Sequence, residues 1–596
     1  MGFFKTFFAT LLALMVSLFL VFFTGLIIIF SAQQETEPYV RDGSVLEIRM
    51  GNTLTERPSE DPFSMLFRDM SRVPVTLRGL ESNLEKAAAD DRIEGVWIQV
   101  NNLAAPWSNL IDLRQKMMEF RNETGKFIYV TTNDIGFNEQ SYFLATAADS
   151  IFSPPETFFE FDGFFIQSVF FSELLEKIGV EAEIFRAGDY KAAVEPFFRN
   201  DFSEENTEQL QALVDNVSDI FLSAVSERTG MSISELNSLM NEEPILTSRG
   251  AYEAGLIDEL VYPSEMKDRI ELHIQERGFD ELQTIAYNRY NRVKKSTAGV
   301  TTPDTENKVA VIYASGNIMP EVADPSPIPG STDNITARSF GENLTSALED
   351  DDVKAIVLRI TSPGGAGSTS DLIWHQIREA AREKPVIASL GSVAASGGYY
   401  IGMAADTVVA SSHTITGSIG VFGVSMNMQE LMNDKLGLYF DEVTSHEHSM
   451  WLSPDKPMSD ASRRRFQQYI DEFYDIFLDR VAESRNMTVD QVHEVARGRV
   501  WTGPDALNAG LVDAIGELGH AIEIAAEKAG IEDYSIEMFP KPKTLFDLFT
   551  DSAHTRIRYL MQPGLKELEY LDPVFHILRH DPRTVIARIP FDHNIH

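Results

Sequence analysis

The sequence predicts an α/β protein in which two tandem domains follow an N-terminal transmembrane helix. Three observations support this prediction: a long apolar run near the N-terminus, an internal repeat, and short apolar runs that alternate with helical stretches in both copies. Such alternation is typical of βαβ units with a largely parallel sheet. At 596 residues, the chain is long enough for several domains with cores of their own.

The first predicted element is a membrane anchor. Residues 6–34 contain no charged side chain, and apolar residues dominate 7–30. As a helix, that run spans about 36 Å, enough to cross a hydrocarbon core of about 30 Å. The bulky Phe30 does not fit a signal-peptidase cleavage site, so we expect residues 1–31 to remain as a signal anchor. Because Lys5 precedes the run and acidic residues follow it, we expect a cytoplasmic N-terminus and an extracytoplasmic body.

Charge and composition exclude several classes of function. The chain has 51 Lys and Arg against 90 Asp and Glu, a formal net charge of −39. So acidic a protein repels a phosphate backbone, and we expect no nucleic-acid partner. The sequence contains no cysteine, which excludes disulfides, a thiolate nucleophile and cysteine-ligated zinc or iron–sulfur sites.

An internal repeat accounts for most of the remaining length. Residues 142–149 (YFLATAAD) resemble residues 399–406 (YYIGMAAD), and residues 254–258 (AGLID) resemble 509–513 (AGLVD). Self-similarity over such a distance predicts a duplicated structural unit. The predicted organisation is a transmembrane anchor over 1–31, a linker over 32–44, a first α/β repeat over 45–293, a Thr-rich linker over 294–307, a second α/β repeat over 308–540 and an extension of unassigned role over 541–596.

The second repeat contains two glycine-rich turns after predicted strands. Ser362-Pro-Gly-Gly365 follows a strand that ends at Ile360, and residues 391–400 (GSVAASGGYY) follow a strand over 385–390. Small residues around Ser396 allow a sharp strand-to-helix turn, which we expect to expose the Ser396 hydroxyl at a helix N-terminus. Glycine turns let a backbone N–H approach an oxygen closely, as an oxyanion hole requires. Each stretch taken alone also fits an ordinary tight turn.

The first repeat lacks these features but contains a lysine that the second repeat lacks. Ala104-Ala105-Pro106 replaces the glycines, and Glu139 stands at the position that corresponds to Ser396. Residues 186–197 (RAGDYKAAVEPF) include Lys191, and the corresponding part of the second repeat offers no lysine. One copy therefore keeps a serine and the other a lysine. This complementary loss indicates a single composite site shared between the repeats.

Together these motifs resemble those of the signal peptide peptidase A family in its long form, a family of membrane-anchored serine peptidases. The resemblance covers residues 45–535 and rests on GDYKAAVEPF, SPGG, SVAASGGYYI and TGSIGVFG. It implies tandem ClpP/crotonase-like domains, a homotetramer, and a single-pass protein of the bacterial inner membrane with a periplasmic catalytic body. The implied site residues are Ser396 as nucleophile, Lys191 as general base, Ser418 as the hydroxyl that orients the lysine amine, and Gly365 and Gly397 as backbone oxyanion donors.

The expected reaction is the hydrolysis of cleaved signal peptides, and of other envelope polypeptides, by a Ser–Lys dyad without a cofactor. A lysine is a base only when neutral, so its pKa must fall from about 10.4, and burial between two domains lowers it. The peptide substrate is expected to bind extended, as an added strand. Two alternatives stay open: a catalytically inactive membrane scaffold, and a crotonase-type acyl-CoA enzyme, which the extracytoplasmic placement disfavours.

Several other polar residues are alternative site residues. His413 is an alternative base, although no obvious motif supplies a carboxylate partner for it. His446 and His448 suggest a metal site, but two histidines in a polar loop are more typical of solvated side chains, and we expect no metal. Asp149 and Asp406 recur in both repeats, including the one without the serine, so we expect them to be structural.

Overall fold

The structure is a computed structural model. It describes residues 37–541 except 52, 58–74, 134, 243–244, 246 and 322–333, and also residues 586–588 and positions 6, 7, 10, 14 and 17. The predicted anchor over 7–30 therefore lies almost entirely outside the described residues. Within the described part of the chain, no helix is both long enough and apolar enough to cross a membrane.

The first repeat is built on a parallel sheet. Its described strands are β1 (Ser44–Arg49), β2 (Ile93–Val100), β3 (Phe127–Thr132), β4 (Gly136–Phe137), β5 (Ser150–Ser153), β6 (Phe158–Phe159), β7 (Glu181–Ala187), β8 (Glu259–Leu260) and β9 (Gln283–Ala286). The sheet has the order β8–β5–β3–β2–β1–β9, and each neighbouring pair is parallel. Its described helices are α1 (Leu77–Ala89), α2 (Trp107–Thr124), α3 (Glu139–Ala145), α4 (Ser172–Ile178), α5 (Glu204–Thr229), α6 (Ile233–Glu242), α7 (Ser248–Glu253), α8 (Met266–Glu276) and α9 (Tyr287–Tyr290).

The second repeat has a sheet of the same kind. Its described strands are β10 (Lys308–Ser315), β11 (Val353–Ser362), β12 (Gly364–Ala366), β13 (Val386–Ala395), β14 (Thr407–Ala410), β15 (Ile415–Gly417), β16 (Val421–Asn427), β17 (Val500–Trp501), β18 (Ala514–Ile515) and β19 (Ser535–Phe539), and β20 (Ile586–Arg588) comes from the extension. The sheet has the order β17–β15–β13–β11–β10–β19, with β14 joining β13 to β18, and only its β15–β17 pair is antiparallel among the described strands. Its described helices are α10 (Ala337–Glu349), α11 (Gly367–Ala380), α12 (Gly397–Gly402), α13 (Asp460–Arg485), α14 (Val489–Val495), α15 (Gly503–Asn508) and α16 (Leu518–Ala529).

Helices cover both faces of each sheet, which explains why the central strands read as continuous apolar runs. In β10, Val309 and Val311 pack in one core with α16, whereas Ala310 and Ile312 belong to the core on the opposite face. Successive side chains of a strand point to opposite faces, so a strand covered on both sides is mostly apolar on both faces. The α/β class predicted from these runs is confirmed.

Equivalent hydrogen bonds recur in the two repeats. The hydroxyl of Tyr142 donates to the Leu256 carbonyl at 2.7 Å, and the hydroxyl of its counterpart Tyr399 donates to the Leu511 carbonyl at 2.8 Å. The described structure thus carries the duplication that the sequence predicts.

The two recurring aspartates also have equivalent roles. Asp149 accepts the Ile128 N–H at 2.7 Å, and Asp406 accepts the Val386 N–H at 2.9 Å. Each carboxylate therefore holds the start of a neighbouring strand, which is the structural role predicted for both residues.

A separate antiparallel sheet joins the two repeats. β7 of the first repeat pairs antiparallel with β16 of the second, from Val421 opposite Ala187 to Asn427 opposite Glu181. This sheet has the order β12–β20–β16–β7 in the described structure. β7 ends four residues before Lys191. The pairing of β7 with β16 therefore places this lysine of the first repeat against the second repeat.

Candidate active site

Ser396 lies at the junction between β13 and α12. Both strands before the glycine-rich turns are longer than predicted, and β13 continues through Ala395 to the serine itself. The Ser396 backbone has φ 55° and ψ −115°, a combination that is costly for any residue with a Cβ. Its N–H donates to the Gly417 carbonyl at 2.8 Å, and its carbonyl accepts the Tyr400 N–H at 2.8 Å. These bonds from both sides hold the strained turn in place.

The prediction that the Ser396 hydroxyl is exposed is wrong. The residue is fully buried, because Lys191 arrives from the first repeat and the loop after β15 closes over the turn. A sharp strand-to-helix turn exposes its side chain only when nothing else packs on it. The packing partner here lies 205 positions away in sequence, so local motif reasoning did not include it.

Lys191 is also fully buried and faces three oxygen atoms. Its Nζ lies 2.8 Å from Ser396 Oγ, 2.9 Å from Ser418 Oγ and 3.0 Å from the Ser418 carbonyl oxygen. The structure therefore brings together the lysine of one repeat and two serines of the other, as the complementary loss of motifs indicated.

Burial holds the pKa of Lys191 well below its ordinary value, and no neighbouring carboxylate opposes this effect. A neutral amine has two N–H donors and one lone pair, which match two acceptors on Ser418 and one hydroxyl donor on Ser396. An ammonium has no lone pair, so Ser396 would have to turn its O–H to the Gly420 carbonyl at 3.5 Å. The distances accommodate both forms of the lysine, and the depressed pKa favours the neutral amine.

The two predicted oxyanion glycines come from adjacent turns. A Cβ on Gly397 would lie 3.2 Å from the Gly365 nitrogen, so the two backbones almost touch. A Cβ on Gly365 would lie 2.0 Å from the Ile318 carbonyl oxygen, so only glycine fits there. Both residues lie beside Ser396, and their role as oxyanion donors stays a prediction.

Sequence reasoning missed the segment 497–500, which connects the lysine to the serine loop. The Arg497 carbonyl accepts the Tyr190 N–H at 2.9 Å, and the Arg499 carbonyl accepts the Ser418 N–H at 2.7 Å. Between them, Gly498 has φ 84°, and a Cβ there would lie 2.6 Å from the backbone nitrogen of Lys191. The segment thus bonds directly to the neighbour of Lys191 and to Ser418.

Gln209, in α5 of the first repeat, is a second residue that sequence reasoning missed. Its side chain is buried; Nε2 donates to the Tyr190 carbonyl at 3.2 Å and Oε1 accepts the Val500 N–H at 3.0 Å. One amide thus links the residue before Lys191 to the segment beside Ser418. The available signal was a glutamine at a position of an amphipathic helix where an apolar residue is expected.

The alternative residues do not contact Ser396. His413 is buried, and its Nδ1 lies 2.7 Å from Asn216 Oδ1. Burial lowers the pKa of His413 to about 4. His446 and His448 are exposed, and no group of three or more potential metal ligands occurs among the described residues.

Comparison with known proteins defines the class as a serine peptidase. The model of "Peptidase family S49" matches residues 121–275 and 378–532, together just over half of the chain. The two matches begin 257 positions apart, the same distance that separates Tyr142 from Tyr399. The chain therefore belongs to peptidase family S49 and carries the family domain twice.

Relatives support the long, two-repeat form. "Serine protease SPPA, chloroplastic" of Arabidopsis thaliana is 35% identical over 493 residues, which cover 83% of this chain and 70% of the relative. "Protease 4" of Salmonella typhi is 30% identical over 499 residues, which cover 82% and 77%. The predicted family and the serine peptidase class are confirmed, and these findings favour a peptidase over the acyl-CoA enzyme.

The finer fold assignment stays a prediction. A solved structure of ClpP1 from Listeria monocytogenes is similar over 36% of this chain, with 15% sequence identity and a TM-score of 0.24. So low a score does not support the ClpP/crotonase-like assignment. The α/β class and the tandem repeat rest on the topology and on the family match.

Proposed function

We propose that this chain is a membrane-anchored endopeptidase that cleaves signal peptides and other envelope polypeptides, with Ser396 as nucleophile and Lys191 as base. The observation that carries the proposal is the 2.8 Å contact between Lys191 Nζ and Ser396 Oγ, both fully buried. Nucleophile and base within hydrogen-bond distance are the geometric signature of covalent acyl transfer.

The first half-reaction begins with proton transfer from Ser396 Oγ to the neutral amine of Lys191. The oxygen then attacks the carbonyl carbon of the peptide, and the resulting oxyanion is stabilised by the N–H groups of Gly365 and Gly397. Lys191, now an ammonium, returns the proton to the leaving amine, which leaves an acyl group on Ser396. Ser–Lys pairs are a known variant of the serine–histidine arrangement.

In the second half-reaction, Lys191 again acts as base and then as acid, while water is the nucleophile and Ser396 is the leaving group. The neutral amine removes a proton from water, the hydroxide attacks the acyl carbon, and Ser396 leaves with the proton. Ser418 keeps the lone pair of the amine directed at the reacting oxygen through the two acceptors that it offers to Lys191. All of these groups belong to the chain, so the proposed reaction proceeds without a cofactor.

Placement in the membrane is part of the same proposal. The uncharged run over 7–30 supports a single-pass anchor in the bacterial inner membrane, with the catalytic body in the periplasm. "Putative signal peptide peptidase SppA" of Enterococcus faecium, 31% identical over 36% of this chain, supports signal peptides as substrates. A homotetramer is the assembly that the family resemblance implies.

The test compares cleavage of casein and of a synthetic signal peptide by the wild type, Ser396→Ala and Lys191→Ala. We expect both variants to lose nearly all turnover and to keep their circular dichroism spectra and elution volumes. His413→Ala is the matched control, since His413 is also buried but bonds to Asn216. Full activity in Lys191→Ala, or its loss in His413→Ala alone, would reject the dyad. A wild type without peptidase activity would favour the inactive scaffold.

A further inference from the structure

A row of three buried polar side chains lies beside the lysine of the site. Glu195 belongs to the 3₁₀ turn Ala192–Phe197, which begins directly after Lys191. Asn206 and Gln209 lie three positions apart in α5, so they face the same side of that helix. All three side chains belong to buried residues. We call Glu195, Asn206 and Gln209 the polar relay.

The polar relay runs without a break from the carboxylate to the backbone near the site. Asn206 Nδ2 donates to Glu195 Oε2 at 2.9 Å, and Asn206 Oδ1 accepts a hydrogen bond from Gln209 Nε2 at 3.0 Å. Gln209 in turn donates to the Tyr190 carbonyl at 3.2 Å and accepts the Val500 N–H at 3.0 Å. The relay therefore ends on the residue before the lysine and on the segment that bonds to the serine loop.

The carboxylate fixes the direction of each hydrogen bond in the polar relay. A carboxylate only accepts, whereas an amide donates from its nitrogen and accepts at its oxygen. Because Asn206 turns its NH₂ group to Glu195, its oxygen faces Gln209 and accepts from it. Gln209 then turns its NH₂ group to Asn206 and keeps Oε1 for the Val500 N–H. If both amides were reversed, Gln209 would present an NH₂ group to the Val500 N–H and an oxygen to the Tyr190 carbonyl.

Packing alone does not explain a carboxylate at this position. Glu195 Oε2 receives only uncharged donors, the Ser203 N–H at 3.3 Å and the Asn206 amide. Glu195 Oε1 has no hydrogen-bond partner in the part of the chain that the structure describes. A buried carboxylate held in this way costs free energy that an apolar side chain would not. The carboxylate is therefore explained by what it does to its neighbours.

We infer that Glu195 is a positioning residue, which sets the polarity of the relay and thereby holds the backbone beside Lys191 and Ser418. This inference rests on the proposed function and adds a residue to the same site. Proton transfer depends on the 2.8 Å distance between Lys191 Nζ and Ser396 Oγ, and a misplacement of about 1 Å can lower a rate about a hundredfold. Since the relay is buried, its loss should lower kcat and leave KM unchanged.

Four chains with side chains of nearly equal shape test the polarity: the wild type, Glu195→Gln, Asn206→Asp and the double variant. We measure kcat and KM for a quenched fluorogenic peptide. Glu195→Gln can keep an amide oxygen toward Asn206, so its kcat should stay within about threefold of the wild type. Asn206→Asp sets two acceptors against each other and should lower kcat at least about tenfold.

The double variant is the decisive chain. The new glutamine can donate to the new aspartate, whose other oxygen still accepts from Gln209. Most of the kcat lost in Asn206→Asp should therefore return. Glu204→Gln is the matched control, because it removes the same charge from an exposed residue at the start of α5, and it should equal the wild type.

Glu195→Met tests the relay without an added charge. It removes the acceptor, so kcat should fall about tenfold with KM unchanged. Combined with Gln209→Leu, it should cause no further loss, because both changes break the same relay. If Asn206→Asp does not fold, these two chains decide the question.

Several outcomes would overturn the inference. One is a wild-type kcat in Asn206→Asp or in Glu195→Met. Another is a double variant that recovers its melting temperature but not its kcat, since the relay would then serve folding alone. Equal losses in Glu195→Gln and Asn206→Asp would show that charge matters and polarity does not. In all of these cases the wild type still cleaves the peptide; a wild type without cleavage rejects the proposed function, and the inference falls with it.

Discussion

The hydroxyl of Ser418 offers a sharp test of how Lys191 is held. In the neutral form of the lysine, one N–H donates to the Ser418 carbonyl and the other to Ser418 Oγ, at 3.0 and 2.9 Å from Nζ. Ser418→Ala removes one acceptor and leaves a buried N–H without a partner, which costs about 1–3 kcal/mol. If the amine turns toward Ser396 to recover that bond, its lone pair no longer faces the serine. At about 1.36 kcal/mol per factor of ten, kcat should fall about 5- to 160-fold.

The assay is steady-state peptide cleavage across a range of pH. KM should change little, because Ser418 is fully buried and its hydroxyl contacts the lysine. A hydrogen-bond acceptor stabilises an ammonium more than a neutral amine, so removal of the Ser418 hydroxyl lowers the pKa of Lys191 further. The acidic limb of the plot of kcat against pH should therefore shift to lower pH. A purely structural role would leave that limb in place.

Ser418→Gly distinguishes the loss of the hydroxyl from an effect on the backbone conformation. Ser418 has φ 51°, a conformation that costs alanine energy but costs glycine almost none. Ser418→Gly therefore lacks the hydroxyl without this backbone cost. Both variants should lose the same factor in kcat. A glycine variant with wild-type kcat would refute the reasoning, since the loss in Ser418→Ala would then come from the backbone.

The remaining predictions concern Lys191 and its supports. Since the pKa of buried Lys191 is depressed, the unfolded chain binds a proton that the folded chain lacks between that pKa and about 10.4, so stability rises with pH there. Lys191→Met should thus be inactive yet melt at a higher temperature than the wild type at pH 7, and the difference should shrink at pH 10. For the wild type, kcat/KM should fall about tenfold per pH unit below the pKa of Lys191. Gln209→Leu removes the amide bridge to Val500 and should lower kcat about tenfold with KM unchanged, whereas Gln211→Leu, an exposed change on the same helix, should have no effect. Gly498→Ala places a Cβ 2.6 Å from the backbone nitrogen of Lys191, so it should lower kcat and change KM less. A wild-type kcat would contradict the close packing.

The sequence identifies the reactive residues of the site better than it identifies the residues that bury and position them. Ser396 and Lys191 could be paired because each is missing from the other repeat, a signal that needs no three-dimensional information. The burial of Ser396 could not be predicted, because it depends on the pairing of β7 with β16. Gln209 is harder still: the two backbone groups that its amide links lie 19 and 291 positions away, and a polar residue among apolar helix positions does not reveal such partners. Local patterns thus identify reactive residues, whereas the groups that position them depend on distant pairings.

A site divided between two repeats also couples assembly to the protonation of Lys191. Burial holds the pKa of the amine well below its ordinary value, and the groups that the amine contacts belong to the second repeat. If the β7–β16 pairing opened, water would reach Nζ and the lysine would return toward its ordinary pKa of about 10.4. It would then be an ammonium at neutral pH and could not accept the Ser396 proton. Under the proposed mechanism, the first repeat alone therefore has no neutral base and the second repeat alone lacks Lys191, so peptidase activity requires the docked pair.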